Sequence, residues 1–241
     1  MLNLIKQSVK KAFYKAGFEI VRDGNTKGVT YSILGLTNLP IKTIIDVGAN
    51  CGQFAKHISV WFPQARIYSF EPQPGPFKEL SAWTQTQKGR VVPFNLALGT
   101  EEREIDMVCN VEDNTSSSFL KSTKLLEDWR PQMKKKTVAK TRMTTLDSWA
   151  KGPALVFDPD ILIKLDTEGY DDRVISGGQE LFKKAKACNV EISLDKLFED
   201  QADFRELTNM LYDLGYRYAG NLHQAYAPDG HVMVIDAIFV K

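Results

Sequence analysis

Short apolar runs alternate along the chain with longer segments whose apolar residues recur every three to four positions. The runs cover residues 42–47, 65–70, 90–95, 161–165 and 188–192. Runs of this length without polar alternation are typical of strands buried in a parallel sheet. The segments with helical spacing cover residues 52–61, 76–85, 172–179 and 204–214. Strands separated by helices predict an α/β fold with right-handed crossovers, a mostly parallel twisted sheet and helices on both faces.

The end of the chain departs from this alternation. Residues 215–219 and 232–240 are predicted strands, and the turn between them contains Asp229-Gly230. Because this connection has no room for a crossover helix, we predict an antiparallel C-terminal hairpin. Residues 101–141 are predicted to form an irregular insertion with a short strand and a polar helix. We therefore expect one domain over residues 42–241 that carries this insertion.

Residues 1–41 are predicted to be an N-terminal amphipathic helix followed by a lead-in. Apolar side chains recur at helical spacing there, while lysines occupy the other faces. A basic amphipathic helix of this kind can contact a membrane surface or a partner peripherally. The other interpretation is that it packs on its own domain.

Composition narrows the possible partners. The 241 residues carry a formal net charge of +1, so nothing draws the chain as a whole toward nucleic acid, and no nucleic-acid partner is expected. The three cysteines form no CxxC pair and no zinc-like cluster. No transmembrane run or signal peptide is recognisable, so we expect a cytoplasmic protein.

The most informative segment follows the first predicted strand. It contains Asp46, Gly48, Ala49, Asn50 and Gly52. Glycines allow a sharp turn and a close approach of backbone to ligand, and the following helix presents free N–H groups.

An acidic residue completes the pattern. Glu71 lies 71 − 52 = 19 residues beyond Gly52, at the end of the second predicted strand. A carboxylate at about this distance binds ribose hydroxyls in nucleotide-binding α/β folds. The combination predicts an adenosine-containing cofactor.

The spacing of the glycines also distinguishes a dinucleotide from S-adenosylmethionine as the cofactor. A dinucleotide fingerprint needs glycine where this chain has Asn50, and Gln53 departs from it again. Asp46 suits the amino-acid end of S-adenosylmethionine better than a phosphate. We therefore predict S-adenosylmethionine. An NAD(P)-dependent oxidoreductase and a non-catalytic cofactor-binding module remain the alternatives.

Several ordered motifs resemble the FkbM-type methyltransferases over residues 43–191. They are IIDVGANCG (44–52), FEPQP (70–74), N-x-A-x-G (95–99), the serines 116–118, TLDS (145–148) and IKLDTEG (163–169), followed by Glu191. The resemblance implies a Rossmann-like methyltransferase fold, S-adenosylmethionine and O-methylation of a small-molecule or saccharide acceptor. It also implies that the glycine segment and Glu71 bind the cofactor, with Pro72, Asn95 and Ala97 near the adenosine.

The residues after the predicted strand 161–165 are the candidates for chemistry. Asp166 and Glu168 alternate along an extended backbone, so both can face a ligand at the carboxyl edge of the sheet. Such a pair can accept a hydroxyl proton, bind a sugar, or hold Mg²⁺ with Glu191. A divalent metal is thus a possible cofactor, although no dedicated metal ligand is predicted. His223, expected in a connection, is the histidine candidate for a general base.

Other residues have two open interpretations. Ser116, Ser117 and Glu191 are predicted to bind the acceptor, whereas the serines also suit a plain turn. Lys164 belongs to the buried strand or is a solvated cation at its end. The predicted activity is S-adenosylmethionine-dependent transfer of a methyl group to a hydroxyl of a sugar, glycan or other small polar acceptor.

Overall fold

The computed structural model describes residues 33–110, 117–152 and 157–241. The predicted N-terminal amphipathic helix and Ser116 lie outside these residues. In the described part of the chain, no helix combines the length and the hydropathy needed to cross a membrane.

Seven strands form the main sheet, in the spatial order β3-β2-β1-β7-β8-β10-β9. They are β1 (Thr43–Val47), β2 (Arg66–Phe70), β3 (Val91–Phe94), β7 (Ile161–Leu165), β8 (Ala187–Ser193), β9 (Arg217–Tyr226) and β10 (Val232–Val240). The first five of these pair in parallel, and β10 is antiparallel to both of its neighbours. The predicted α/β sheet with a C-terminal antiparallel hairpin is confirmed.

Burial follows the position of each strand. Every residue of β1 and β7, at the centre of the sheet, is buried, and this includes the charged Asp46 and Lys164. β9 lies at the edge and has no buried residue. It runs ten residues, to Tyr226, where the sequence predicted a strand ending at residue 219. The extension was not predicted because it contains polar residues such as Asn221 and His223. An edge strand tolerates them, since it is not required to bury both faces.

The insertion contains the predicted short strand and polar helix, at Arg103–Asn110 and Lys124–Trp129, but it is more regular than expected. Its strands belong to a second sheet of three strands, which the sequence did not predict. They are β4 (Ala97–Leu98), β5 (Arg103–Asn110) and β6 (Lys136–Thr144). β6 pairs with β5 along eight positions, although most of its side chains are exposed. Its lysine-rich sequence lacks an apolar run, which is why the strand was not predicted.

Seven α-helices are assigned in the described residues. They are α1 (Gln53–Trp61), α2 (Pro74–Thr84), α3 (Lys124–Trp129), α4 (Leu146–Ala150), α5 (Asp171–Ser176), α6 (Gln179–Lys184) and α7 (Phe204–Asp213). The chain passes from β1 to β2 and β3 in one direction and from β7 to β8 in the other. Right-handed crossovers then place the two sets of helices on opposite faces. The strand order reverses between β1 and β7, and the crevice at their carboxyl ends is where such folds bind ligands.

Candidate functional site

The loop after β1 packs tightly against the end of β7. Gly48 has a φ of +74°, and a Cβ at this position would lie 1.8 Å from the carbonyl oxygen of Asp166. The N–H groups of Gly48 and Ala49 donate to the carbonyl of Phe70, at 3.1 and 2.9 Å. Gly52, also at positive φ, is the N-cap of α1. The loop is therefore fixed on both sides by the two neighbouring strands.

A cavity of about 250 Å³ opens beside this loop, and we call it the first cavity. Its wall includes Gly48, Ala49, Asn50, Phe54, Glu71, Pro72, Leu96, Ala97, Leu98, Met107, Ser117, Phe119, Lys164, Asp166, Glu168 and Tyr170. Six of the nine residues predicted to bind the cofactor thus share one wall.

Glu71 is the buried carboxylate of the first cavity, with 2% of its surface exposed. Its two carboxylate oxygens accept the N–H groups of Asn50 at 2.7 Å and Gln73 at 2.8 Å. Burial raises the pKa of Glu71 to about 7, although both N–H groups favour the ionised form. Asn95 lies behind it and donates its amide to the carbonyls of Glu71 and Pro72, at 2.8 and 3.1 Å. Asn95 therefore holds the loop and is not part of the cavity wall.

Beneath the loop, Lys164 joins two carboxylates. Its Nζ lies 3.4 Å from Oδ1 of Asp46 and 3.2 Å from Oδ2 of Asp166, and it donates to the carbonyl of Gly48 at 2.9 Å. Burial disfavours the ammonium, but the two carboxylates outweigh this and keep the pKa of Lys164 above its ordinary value. The interpretation of Lys164 as a solvated cation was wrong. Asp46 is fully buried, accepts the hydroxyl of Ser69 at 3.2 Å, and lies behind the loop.

Asp166, Glu168 and Glu191 form a cluster that we call the carboxylate cluster. Each offers one oxygen, and the three oxygens lie within 4.8 Å of one another. Burial, followed by the charges of Asp166 and Glu168, raises the pKa of Glu191 well above its ordinary value. Carboxylates this close do not all ionise readily, so the cluster retains a proton to higher pH than an isolated glutamate. Three oxygens at this spacing also match the donor set of a hard divalent cation.

A second cavity, of about 100 Å³, lies next to the cluster. It is lined by Leu126, Trp129, Arg130, Glu168, Glu191, Ser193, Leu197, His223, Ala225, Val234 and Asp236. Glu168 lines both cavities and so stands between them. His223 reaches this wall from β9, not from a connection as predicted, and its Nδ1 is 3.8 Å from Oδ2 of Asp236.

Two serines of the predicted patch, Ser117 and Ser118, are described and have different partners. Ser117 lines the first cavity, where its hydroxyl oxygen accepts the N–H of Asn110 at 3.1 Å. Ser118 donates its hydroxyl to the carbonyl of Glu168 at 2.7 Å. Ser118 was predicted only as part of the serine patch and not as an individual functional residue, and Trp129 was not predicted. Only the serine patch in the family resemblance could have indicated Ser118.

Comparisons with known proteins agree with this geometry. The model of the FkbM methyltransferase domain matches residues 46–218. The 2-O-methyltransferase NoeI of Sinorhizobium fredii is 25% identical over 187 residues, which is 74% of each protein. The AMB antimetabolite synthetase AmbE of Pseudomonas aeruginosa is 35% identical over 74 residues, which is 31% of this chain and only 4% of that protein.

A solved structure supports the fold. The FkbM methyltransferase of Methylobacillus flagellatus superposes with a TM-score of 0.51 at 12% identity and covers 86% of this chain. This chain spans about half of that protein, 48% of its length. The matched family is one of methyltransferases, so the alternative of an NAD(P)-dependent oxidoreductase is not supported. The family model covers most of the chain, which also has the glycine loop and the buried carboxylate beyond β2. The chain therefore belongs to the FkbM family of S-adenosylmethionine-dependent methyltransferases.

Proposed function

We propose that the chain transfers a methyl group from S-adenosylmethionine in the first cavity to a hydroxyl group held in the second cavity. The observation that carries this proposal is the position of Glu168, which lines both cavities. The acceptor class that we propose is a sugar, a glycan or another small polar alcohol. A relative named as a 2-O-methyltransferase supports transfer to oxygen.

The first cavity suits the cofactor. The carboxylate of Glu71 lines the first cavity and is the proposed acceptor for the ribose hydroxyls, besides the N–H groups of Asn50 and Gln73 that it already accepts. Pro72, Leu96 and Ala97 offer a largely apolar wall for the adenine. The start of α1 supplies N–H groups for the methionine carboxylate. Asp46, Gly52 and Asn95 act by holding the loop.

The second cavity supplies what an alcohol acceptor needs. Bound S-adenosylmethionine provides a methyl group on a positively charged sulfur. The acceptor oxygen forms a bond to this methyl carbon as the bond from carbon to sulfur breaks, and the hydroxyl proton leaves. An ionised carboxylate of the cluster accepts that proton. Burial and the neighbouring charges raise the pKa of Glu191, which favours its protonated form once the proton has been transferred.

The remaining residues of the second cavity position the acceptor. Trp129 lines the second cavity and offers aromatic surface to the C–H groups of a sugar ring, and the carboxylates accept hydrogen bonds from the other sugar hydroxyls. Ser117 is a proposed acceptor ligand on the side of the first cavity. Ser116 is proposed as an acceptor ligand from the sequence alone. His223 is a weaker candidate base, since 72% of its side chain is exposed and the cluster lies closer to the cofactor.

The test is an acceptor screen with radiolabelled methyl donor. Methyl glycosides, oligosaccharides and simple alcohols are incubated with wild type and with Glu191→Gln, and products are mapped by mass spectrometry. We expect transfer to oxygen of at least one saccharide and a decrease in kcat/KM of about 10²-fold in the variant.

Each other outcome has a distinct meaning. Product methylated on nitrogen or carbon would contradict O-methylation. Cofactor binding without turnover on any acceptor would favour the non-catalytic module. Activity that is lost in EDTA and restored by Mg²⁺ would show that the cluster holds a cation instead of accepting the proton by itself.

A further inference from the structure

The loop that carries Glu168 has an unusual backbone. Glu168 has a φ of +53°, and Gly169, next in the chain, has a φ of +86°. A glutamate in the left-handed region is strained and persists only where the surrounding structure determines it. Close packing contributes on one side, because a Cβ at Gly169 would lie 3.1 Å from the ring of Phe198.

Ser118 provides the polar contact on the other side. Its hydroxyl donates to the carbonyl of Glu168 at 2.7 Å and accepts the N–H of Leu120 at 3.0 Å. Only 3% of Ser118 is exposed, so water does not readily replace this contact. The backbone of Ser118 is itself fixed, since its N–H and carbonyl both pair with Val108 of β5.

These contacts connect the second sheet to the boundary between the two cavities. A hydrogen bond to the carbonyl of Glu168 fixes the plane of the peptide that follows it. That plane determines ψ of Glu168 and hence the direction in which its side chain leaves the backbone. Ser117, the described serine expected to bind the acceptor, contacts the N–H of Asn110 instead.

We propose that Ser118 is a positioning residue for methyl transfer: it holds Glu168 in its left-handed conformation so that the carboxylate faces the sulfonium and the acceptor hydroxyl. This inference rests on the proposed role of Glu168 between the cavities. It assigns to the second sheet, by way of Ser118, a part in aligning the reacting groups.

The test compares two ligands that differ in charge. S-adenosylmethionine carries a sulfonium, whereas S-adenosylhomocysteine is neutral at sulfur, so the ratio of their dissociation constants reports negative charge near the transferred methyl. Calorimetry on the full chain measures this ratio for wild type, Ser118→Ala, Ser118→Thr, Glu168→Gln and the double variant Ser118→Ala/Glu168→Gln. No acceptor is needed.

We expect Glu168→Gln to lower the preference for the charged ligand by about three- to tenfold, as the loss of one unit charge several Å away requires. Ser118→Ala should lower it by a similar factor. The double variant should add nothing further, because both changes remove the same interaction. Ser118→Thr retains the hydroxyl and should restore most of the preference.

Thr208→Val is the matched control. The buried Thr208 also donates its hydroxyl to a backbone carbonyl, that of Phe204 at 2.7 Å, but it lies in α7 and lines neither cavity. It should leave the ligand ratio unchanged. Thermal unfolding measures the stability of every variant, and Ser118→Cys replaces Ser118→Ala should the latter fail to fold.

The outcomes separate this inference from the proposed function. A ratio shifted by Glu168→Gln but not by Ser118→Ala would overturn the role of Ser118 alone. Equal weakening of both ligands by Ser118→Ala would show a structural role only and overturn it too. If Glu168→Gln leaves the ratio unchanged, Glu168 does not lie near the transferred methyl, and the inference is overturned.

Discussion

The walls of the two cavities are built in contrasting ways. In the first cavity the central carboxylate, Glu71, is bound by backbone N–H groups of two adjacent loops and supported by Asn95. In the second cavity, Glu168 of the loop after β7 and Glu191 within β8 are two neighbouring carboxyl groups, beside Trp129 of α3.

The difference matches the ligands that we propose. Backbone donors do not depend on side-chain identity, so a wall of this kind suits a ligand that stays the same, here the methyl donor. Clustered side chains on loops and insertions alter easily without changing the sheet, and these are the parts that adapt a fold to different substrates. The acceptor specificity of this protein should therefore reside in α3, the carboxylate cluster and β9.

Lys164 lines the first cavity and pairs with Asp166 of the carboxylate cluster, and its loss should have the largest effect. Lys164→Met leaves Asp46 buried without its partner, so we expect the free energy of unfolding to fall by about 3–5 kcal/mol. Urea unfolding followed by circular dichroism measures this change.

Lys186→Met serves as the control for Lys164. Lys186 pairs with Asp160 at 3.3 Å, but its side chain is 43% exposed. Exposed pairs contribute at most about 1 kcal/mol, so its loss should be small. Similar losses for the two variants would contradict the buried network described here.

The pH dependence of cofactor binding tests the role of Glu71 in the first cavity. Because the pKa of Glu71 is raised to about 7, protonation should weaken binding of S-adenosylhomocysteine by about tenfold between pH 8 and pH 6. Glu71→Gln should bind weakly at both pH values and lose this dependence. Calorimetry at the two pH values makes the measurement.

Stability without ligand should change in the opposite direction. A carboxyl whose pKa is higher in the folded than in the unfolded protein contributes stability below its unfolded value, and this contribution is lost as the pH rises through the folded value. For Glu71 the loss falls between about pH 4.5 and 7. Wild type should therefore lose stability over this range relative to Glu71→Gln. Parallel pH curves for the two proteins would refute the assignment.

Trp129→Ala sharpens the comparison from the acceptor side and should have the smallest effect. We expect KM for the best saccharide acceptor to rise about tenfold through lost aromatic contact, with cofactor affinity within twofold of wild type. Trp61→Ala, in α1 and outside both cavity walls, is the matched control. An unchanged KM for the acceptor, or weakened cofactor binding, would remove Trp129 from the acceptor site.

The residues that were predicted correctly and those that were missed differ in a physical respect. The glycine loop and Glu71 follow strands whose apolar runs are unmistakable, so their shared edge was predictable. β6 was missed because its lysine-rich sequence carries no apolar run. The contacts of Ser118 with Glu168 and of Lys164 with Asp46 join residues 50 and 118 positions apart, which no local pattern indicates.

From the sequence alone followed the α/β class, the antiparallel end of the sheet, the family and the identity of the methyl donor. These depend on periodicity and on short ordered motifs, and both can be identified from neighbouring residues in the sequence. The burial of Lys164, the second sheet, the left-handed conformation of Glu168 and its place between two cavities were decided by the tertiary structure. They depend on which distant segments share one dielectric environment and one set of hydrogen-bond partners, and packing alone determines that.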